Sequence, residues 1–273
     1  MAGARSGVNT GQGRRNVTGV TEWWRAFVSE PLLSVLFPPR CVGCGDFESH
    51  LCGSCRETLA AIGRDSCPRC GEPGPQALLA GRCACCVGRD LAYAGARGAF
   101  RHQGTARKLV AEFKFGGQPV LGRVMADLAR PAFAQYVGAI APTERLLVTW
   151  VPCHRTARRQ RGYNQAEVLA RWLASGPRPL SLADLVCKTK ATRHQKGLGK
   201  AGRQENLRGV FTFEKAAPSR LPPRTQALVL VDDVYTTGAT AKEVSSVLVA
   251  GTGLPVYVFT FSRAGAGTPE RHD

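Results

Sequence analysis

The sequence predicts an α/β protein, a mostly parallel central sheet flanked by helices, with a cysteine-rich metal-binding module before it. Three observations carry this reading. Nine of the eleven cysteines fall between Cys41 and Cys86. From about Leu91 onward, short apolar runs alternate with helically spaced segments, the pattern of strand–helix units. One such run, Leu228-Val-Leu-Val231, contains nothing polar and reads as a strand buried on both faces of a parallel sheet. A chain of 273 residues is long enough for one such domain plus a small module.

The elements follow in order. Residues 1–20 are polar and Gly-rich, and predict a disordered tail. Residues 21–90 form the N-terminal module. It opens with a short apolar helix carrying Trp23, Trp24, Phe27, Leu32, Leu33, Leu36 and Phe37, read as packing on the body of the protein, with docking to a partner as the alternative. Four Cys-x-x-Cys pairs follow: Cys41/Cys44, Cys52/Cys55, Cys67/Cys70 and Cys83/Cys86, with Cys85 spare. Two thiolates three positions apart grip one metal ion, and two such pairs complete a tetrahedral zinc site. A disulfide framework is the alternative, and an intracellular chain rarely keeps one. The spacing leaves open one zinc ion or two, sequential or crossed pairing, and whether Cys85 or Cys86 is the last ligand. A four-cysteine site has no open position for substrate, so the metal is read as structural.

Residues 91–273 form the second domain. Tyr93–Phe100 and Leu146–Val151 read as strands, Gly104–Phe115 and Val120–Tyr136 as helices. Pro152 stops the second strand. An arginine-rich loop with Arg155, Arg158, Arg159 and Arg161 follows, then Gly162, Tyr163, Asn164, Gln165 and a helix over Ala166–Ala174. A strand end leading into cations and a helix start suits a diphosphate. Between Val151 and Arg208 stand thirteen Lys or Arg against three acids. Lys188 to Asn206, with glycines at 197, 199 and 202, reads as a basic flap over a charged ligand, and Gly197–Gly202 equally as a plain loop.

The most informative segment is Val231-Asp-Asp-Val-Tyr-Thr-Thr-Gly-Ala-Thr240. A strand ends in two carboxylates, a Thr/Gly loop follows, and Ala241–Ala250 has helical spacing. That order presents backbone N–H groups and a helix N-terminus to an anion. Thr236, Thr237 and Thr240 add hydroxyls, and Gly238 admits a close approach, with Ala239 beside it. Asp232 and Asp233, at the carboxyl end of the strand, suit two neighbouring hydroxyls of a sugar. The plain alternative is a solvated strand end with a helix cap. The net charge of +17 favours polyanionic partners such as phosphate esters, pyrophosphate or nucleic acid. No apolar run reaches the ~18 residues of a membrane span, and no secretory signal is evident. The expectation is a cytoplasmic protein without membrane insertion.

The loop resembles the signature of type I phosphoribosyltransferases, which hold the ribose and 5-phosphate of phosphoribosyl pyrophosphate (PRPP). From about Leu36 to Arg263 the chain resembles the ComF family. The resemblance rests on the order of Pro38-Pro-Arg-Cys41, Phe113-Lys-Phe-x-Gly117, Val151-Pro152, Arg161-Gly-Tyr-Asn-Gln165, Thr192-x-x-Gln195 with Arg203-x-x-Asn206, and the Val231–Thr240 segment. It implies a zinc module joined to a type I phosphoribosyltransferase fold, Mg-dependent PRPP binding, and an association with DNA uptake and transformation. Asp232 and Asp233 would then serve the ribose and catalysis, and Thr236, Thr237, Gly238, Ala239 and Thr240 the phosphate. Lys114, Arg161, Asn164, Gln165, Gln195 and Arg203 would serve the pyrophosphate side and flap. Tyr163 stands where Phe is usual, Cys153 where an aliphatic residue is common, and Lys188 and Lys190 where arginines are frequent. Three functions compete: a phosphoribosyltransferase with an unnamed acceptor, an adaptor for single-stranded DNA with a vestigial PRPP site, and a scaffold whose zinc module binds other competence proteins. Deleting residues 1–90 would separate the third from the others.

Overall fold

The computed structural model describes residues 38–74, 78–190 and 209–265. The expected N-terminal tail and apolar helix, and the flap residues Gln195 and Arg203, lie outside the described residues. The described residues from Arg40 onward form one compact unit. Its elements are α1 (Gly53–Glu57), β1 (Gly95–Arg101), α2 (Gly104–Phe115), α3 (Leu121–Gly138), β2 (Leu146–Trp150), α4 (Arg155–Arg161), α5 (Gln165–Ala174), β3 (Ser181–Leu182), β4 (Val186–Lys188), β5 (Phe211–Phe213), β6 (Ala227–Tyr235), α6 (Ala239–Thr252) and β7 (Val256–Arg263). No helix among the described residues is long and apolar enough to cross a membrane.

The main sheet has the order β1-β7-β6-β2-β3, and every pairing in it is parallel. β4 and β5 form a separate antiparallel pair. Alternation along the strands sorts the side chains to two faces. Leu228 and Leu230 of β6, with Leu147, Val256 and Val258 beside them, pack with Ala241, Val244 and Leu248 of α6. Phe259, one residue on from Val258, turns to the other face and meets Phe133 of α3 edge-on at 5.0 Å. Each fully buried Leu, Val or Phe contributes about 1.5–3 kcal/mol, so both layers are held by β6 and β7.

The expected strands and helices recur with shifted ends. β1 begins at Gly95 rather than Tyr93, and β6 runs on through both aspartates to Tyr235. The acid pair therefore lies within the strand, because Asp232, Val234 and Tyr235 stay paired with β7. The arginine segment expected as a loop holds a short helix, α4, capped by His154, whose Nδ1 accepts from the Thr156 N–H at 3.3 Å. After β2 the chain moves outward toward β3, whereas after β6 it moves outward toward β7. The two departures leave a crevice at the carboxyl ends of β2 and β6, where open α/β sheets bind ligands.

Candidate functional site

The crevice floor is built by the turn from β6 into α6. Gly238 occupies the helix N-cap with φ of 79°, a left-handed conformation. A Cβ there would also lie 2.2 Å from the Tyr235 hydroxyl, so glycine is required on two counts. The α6 ladder starts at Lys242, whose N–H donates to the Gly238 carbonyl at 2.8 Å. Earlier amides of the first turn have no intrahelical acceptor, and the Ala239 N–H donates to the Thr237 hydroxyl at 3.4 Å. Thr236, Thr237, Gly238, Ala239 and Thr240 line a small cavity there, with Asp232 and Val151 at its wall.

The two aspartates sit in different surroundings. Asp233 is buried and pairs with Lys114 Nζ at 2.8 Å. Lys114 belongs to the last turn of α2, so that helix delivers a cation to the acid pair. Asp232 is half-buried, and its Oδ1 accepts from the Asp233 N–H at 2.9 Å. Burial, and then the adjacent Asp233 carboxylate, push the Asp232 carboxyl up to about 7. Lys188 at the end of β4 acts on Asp232 from a second direction, and burial lowers its own pKa. The site thus gathers two carboxylates and two lysines from β6, α2 and β4.

The segment Arg161–Gln165 closes the β2 side, and most of it is architecture. Gly162 ends α4 with φ of 81°. Tyr163 is buried, donates its hydroxyl to the Phe113 carbonyl and packs 5.4 Å from the Phe113 ring. Asn164 caps α5 through Ala166 N–H at 3.2 Å and donates to the Val151 carbonyl at 3.1 Å, pinning the helix to the end of β2. Gln165 is buried and accepts from Arg161 at 3.2 Å, while its Nε2 has no hydrogen-bond partner. Arg161 lies 5.3 Å above the ring of Phe115, which is 67% exposed.

The cysteines resolve into two sequential groups, Cys41/Cys44/Cys52/Cys55 and Cys67/Cys70/Cys83/Cys86, with the ligand atoms of each group within 4.8 Å of one another. Crossed pairing is thereby set aside, and Cys85 stays outside both groups. Sγ–Sγ separations of 3.6 and 3.7 Å in the first group and 3.6, 3.7 and 3.9 Å in the second match the edge of a tetrahedron, about 3.8 Å, for a Zn–S distance of about 2.3 Å. Both groups fit structural zinc. Each opens with the same knuckle: Gly45 N–H donates to Cys41 O at 2.8 Å, and Gly71 N–H to Cys67 O at 2.7 Å.

The second group has a charged neighbour. Arg263, at the end of β7, is buried and pairs with buried Glu72 at 2.8 Å, and its Nη2 lies 3.8 Å from Cys70 Sγ. Its Nε and Nη1 are buried without a hydrogen-bond partner. Four thiolates around one divalent zinc leave two formal negative charges, so a guanidinium with donors to spare suits the loaded site.

Of the residues singled out in the sequence, Asp232, Asp233, Lys114 and the Thr236–Thr240 loop converge. Arg161 and Gln165 approach along β2, and Asn164 is engaged in capping. Glu72 and Arg263 escaped sequence reading. The signal available was Arg263 closing the largely apolar strand Val256–Ser262, because a charge at the end of a buried strand requires a partner.

Residues 32–86 match the double zinc ribbon domain family. Over 216 residues the chain is 29% identical to competence protein F of Haemophilus influenzae, covering 77% of this chain and 90% of that protein. Against competence protein ComFC of Streptococcus pneumoniae it is 25% identical over 218 residues, 79% of this chain and 89% of that one. Against the DNA utilization protein YhgH of Escherichia coli K12 it is 26% identical over 200 residues, 72% and 83% of the two chains.

Proposed function

We propose that this chain, similar to competence protein F, ComFC and YhgH and matching a double zinc ribbon over residues 32–86, binds Mg-PRPP at the β6–α6 turn and serves in DNA uptake. The observation that supports the PRPP reading is a cavity that Asp232 shares with a Thr-Thr-Gly helix start, with Asp233 next in the strand and paired to Lys114. Names of relatives support the uptake role.

The reaction class is pentosyl transfer. An acceptor's lone pair forms a bond to ribose C1 while the C1–O bond to pyrophosphate breaks, its electron pair leaving on the pyrophosphate oxygen. Magnesium bound with PRPP would supply positive charge to that leaving group. Asp232 and Asp233 would accept hydrogen bonds from the ribose 2- and 3-hydroxyls, fixing the ring. The α6 N-terminus and Thr236, Thr237 and Thr240 would hold the 5-phosphate. Lys188 and Arg161, with the Gln165 amide, would face the pyrophosphate side. Gln195 and Arg203 retain their proposed place in the flap on the sequence resemblance.

Calorimetric titration with Mg-PRPP tests this reading. Wild type is expected to bind, and Asp232→Asn/Asp233→Asn to lose at least tenfold in affinity. Absence of binding by folded, zinc-loaded wild type would sink it. The Asp232 carboxyl adds a pH signature. Raised to about 7 from its ordinary 3.8, it contributes stability that is present below pH 4 and lost as pH rises toward 7. Ligand binding that uses the ionised carboxylate therefore strengthens as pH rises from 6 to 8. Asp232→Asn should flatten both the binding profile and this part of the stability profile.

One observation favours a second activity, single-stranded DNA binding. Helix α4 exposes Arg155, Arg158 and Arg159 beside the crevice. Trp150 and Tyr163 are buried, which leaves Phe115 as the exposed aromatic nearby. That arrangement suits backbone contacts more than base reading. Affinity for oligothymidylate should fall steeply with salt, and no affinity at low salt would remove this reading.

A further inference from the structure

We infer that Arg89 is a positioning residue through which the second zinc ribbon sets the shape of the phosphate loop. The name of the loop's ligand rests on the PRPP reading above; the mechanical link rests on geometry.

Arg89 stands three residues beyond Cys86. Its Nη2 donates to the Thr237 carbonyl at 2.8 Å, and its Nη1 donates to the Cys85 carbonyl at 3.2 Å. One guanidinium therefore bridges the knuckle of the second ribbon and the middle of the Thr236–Thr240 loop. Its own carbonyl accepts from Arg82 at 2.6 Å, which fixes the stem from the ribbon side. In a planar trans peptide the N–H points opposite to the C=O. Holding the Thr237 carbonyl toward the ribbon thus aims the Gly238 N–H away from it, which is the orientation an anion at the helix start needs.

Two further contacts, one from Tyr93 in the same stretch and one from Arg263 at the end of β7, act on Tyr235 beneath the same turn. The Tyr93 hydroxyl meets the Tyr235 hydroxyl at 2.6 Å, and that hydroxyl lies directly under Gly238. Arg263, which reaches Cys70 and Glu72, stacks on the Tyr235 ring at 4.1 Å. The second cysteine group, the strand end and the loop form one packed unit. Asp90 pairs with Lys242 in the first turn of α6 at 3.0 Å, but Asp90 is exposed, so this pair adds little.

Hydrogen exchange at the amides of residues 236–241 and Mg-PRPP calorimetry test the link in the full zinc-loaded chain. Arg89→Ala should keep its zinc, speed loop exchange several-fold and weaken Mg-PRPP by about tenfold, the scale of one charged hydrogen bond. Cys44→Ser, in the first ribbon, should leave loop exchange unchanged. Zinc content is measured on every variant, and Arg89→Met, which keeps the apolar stem, takes the place of Arg89→Ala if that variant sheds metal. Unchanged loop exchange in the zinc-retaining Arg89 variant overturns the inference, as does an equal effect from Cys44→Ser. If wild type binds no Mg-PRPP, the PRPP reading falls, while the exchange comparison still decides the role of Arg89.

Discussion

The two zinc ribbons share a Cys-x-x-Cys-Gly knuckle and differ in almost everything around it. In the first, Cys44 is exposed, Cys52 and Cys55 are half-buried, and the ribbon meets the body through Lys108 donating to the Gly43 carbonyl at 2.7 Å and a Thr58–Thr105 hydroxyl pair at 2.7 Å. In the second, all four cysteines are buried and belong to the same apolar core as Leu228, Leu230 and Leu248. It meets the body through a buried ion pair, a buried hydroxyl pair and Arg89. One local motif is thus a surface appendage in one copy and a core element in the other. Context decides, because burial converts each polar contact from a solvent-exchangeable contact into one that is costly to lose.

Ligand substitution should break the symmetry most. Cys83→Ser is expected to release zinc from the second site and cost more than ~4 kcal/mol, the range reached by loss of a metal site in a core. Cys44→Ser should release one zinc and leave the sheet cooperative. Thermal unfolding with zinc analysis checks both, and equal losses would refute the contrast.

The ion pair comes next. Arg263→Ala leaves Glu72 buried without its cation and should cost about 3–5 kcal/mol in urea unfolding. Lys108→Ala, which removes the α2 cation that contacts the first ribbon, should stay within about 0.5 kcal/mol.

The hydroxyl pairs sharpen the comparison at the smallest scale. Tyr235→Phe strands the buried Tyr93 hydroxyl and should cost about 1–3 kcal/mol, while adding Tyr93→Phe should recover part of it. Thr105→Ala, which breaks the exposed pair, should cost less than ~0.5 kcal/mol. A double variant less stable than Tyr235→Phe alone would show that the hydroxyl pair is not what holds the strand end.

Much of this was legible in the residues. Val231–Thr240 announced its turn because an apolar strand run gives way to Thr and Gly before a helical period, and Gly238 takes the left-handed φ the turn needs. Gly104–Phe115 declared itself through Ala106, Leu109, Val110 and Phe113, all buried as the helical period requires. Pairing of the cysteines was not legible, since four Cys-x-x-Cys pairs satisfy tetrahedral geometry in either order. β7 passed unassigned although Val256–Phe261 is strongly apolar. The short antiparallel pair β4–β5 was also out of reach, because three-residue strands carry too little period. Contacts between residues far apart in sequence, such as Glu72–Arg263, have no local signature at all. They also change an experiment. Removing residues 1–90 to isolate a scaffold role would strip four buried thiols from the core, so that deletion tests folding before it tests partnership.

The Glu72–Arg263 pair spans 191 positions of chain. During synthesis, Cys86 leaves the ribosome roughly 140 residues before β6 begins, which at about 5–20 residues per second is on the order of ten seconds or more. Throughout that interval the four thiols of the second group lack the strands that later bury them. Zinc bound early would hold those four thiols together until β6 and β7 arrive, so metal supply during synthesis bears on how the Thr236–Thr240 turn is packed.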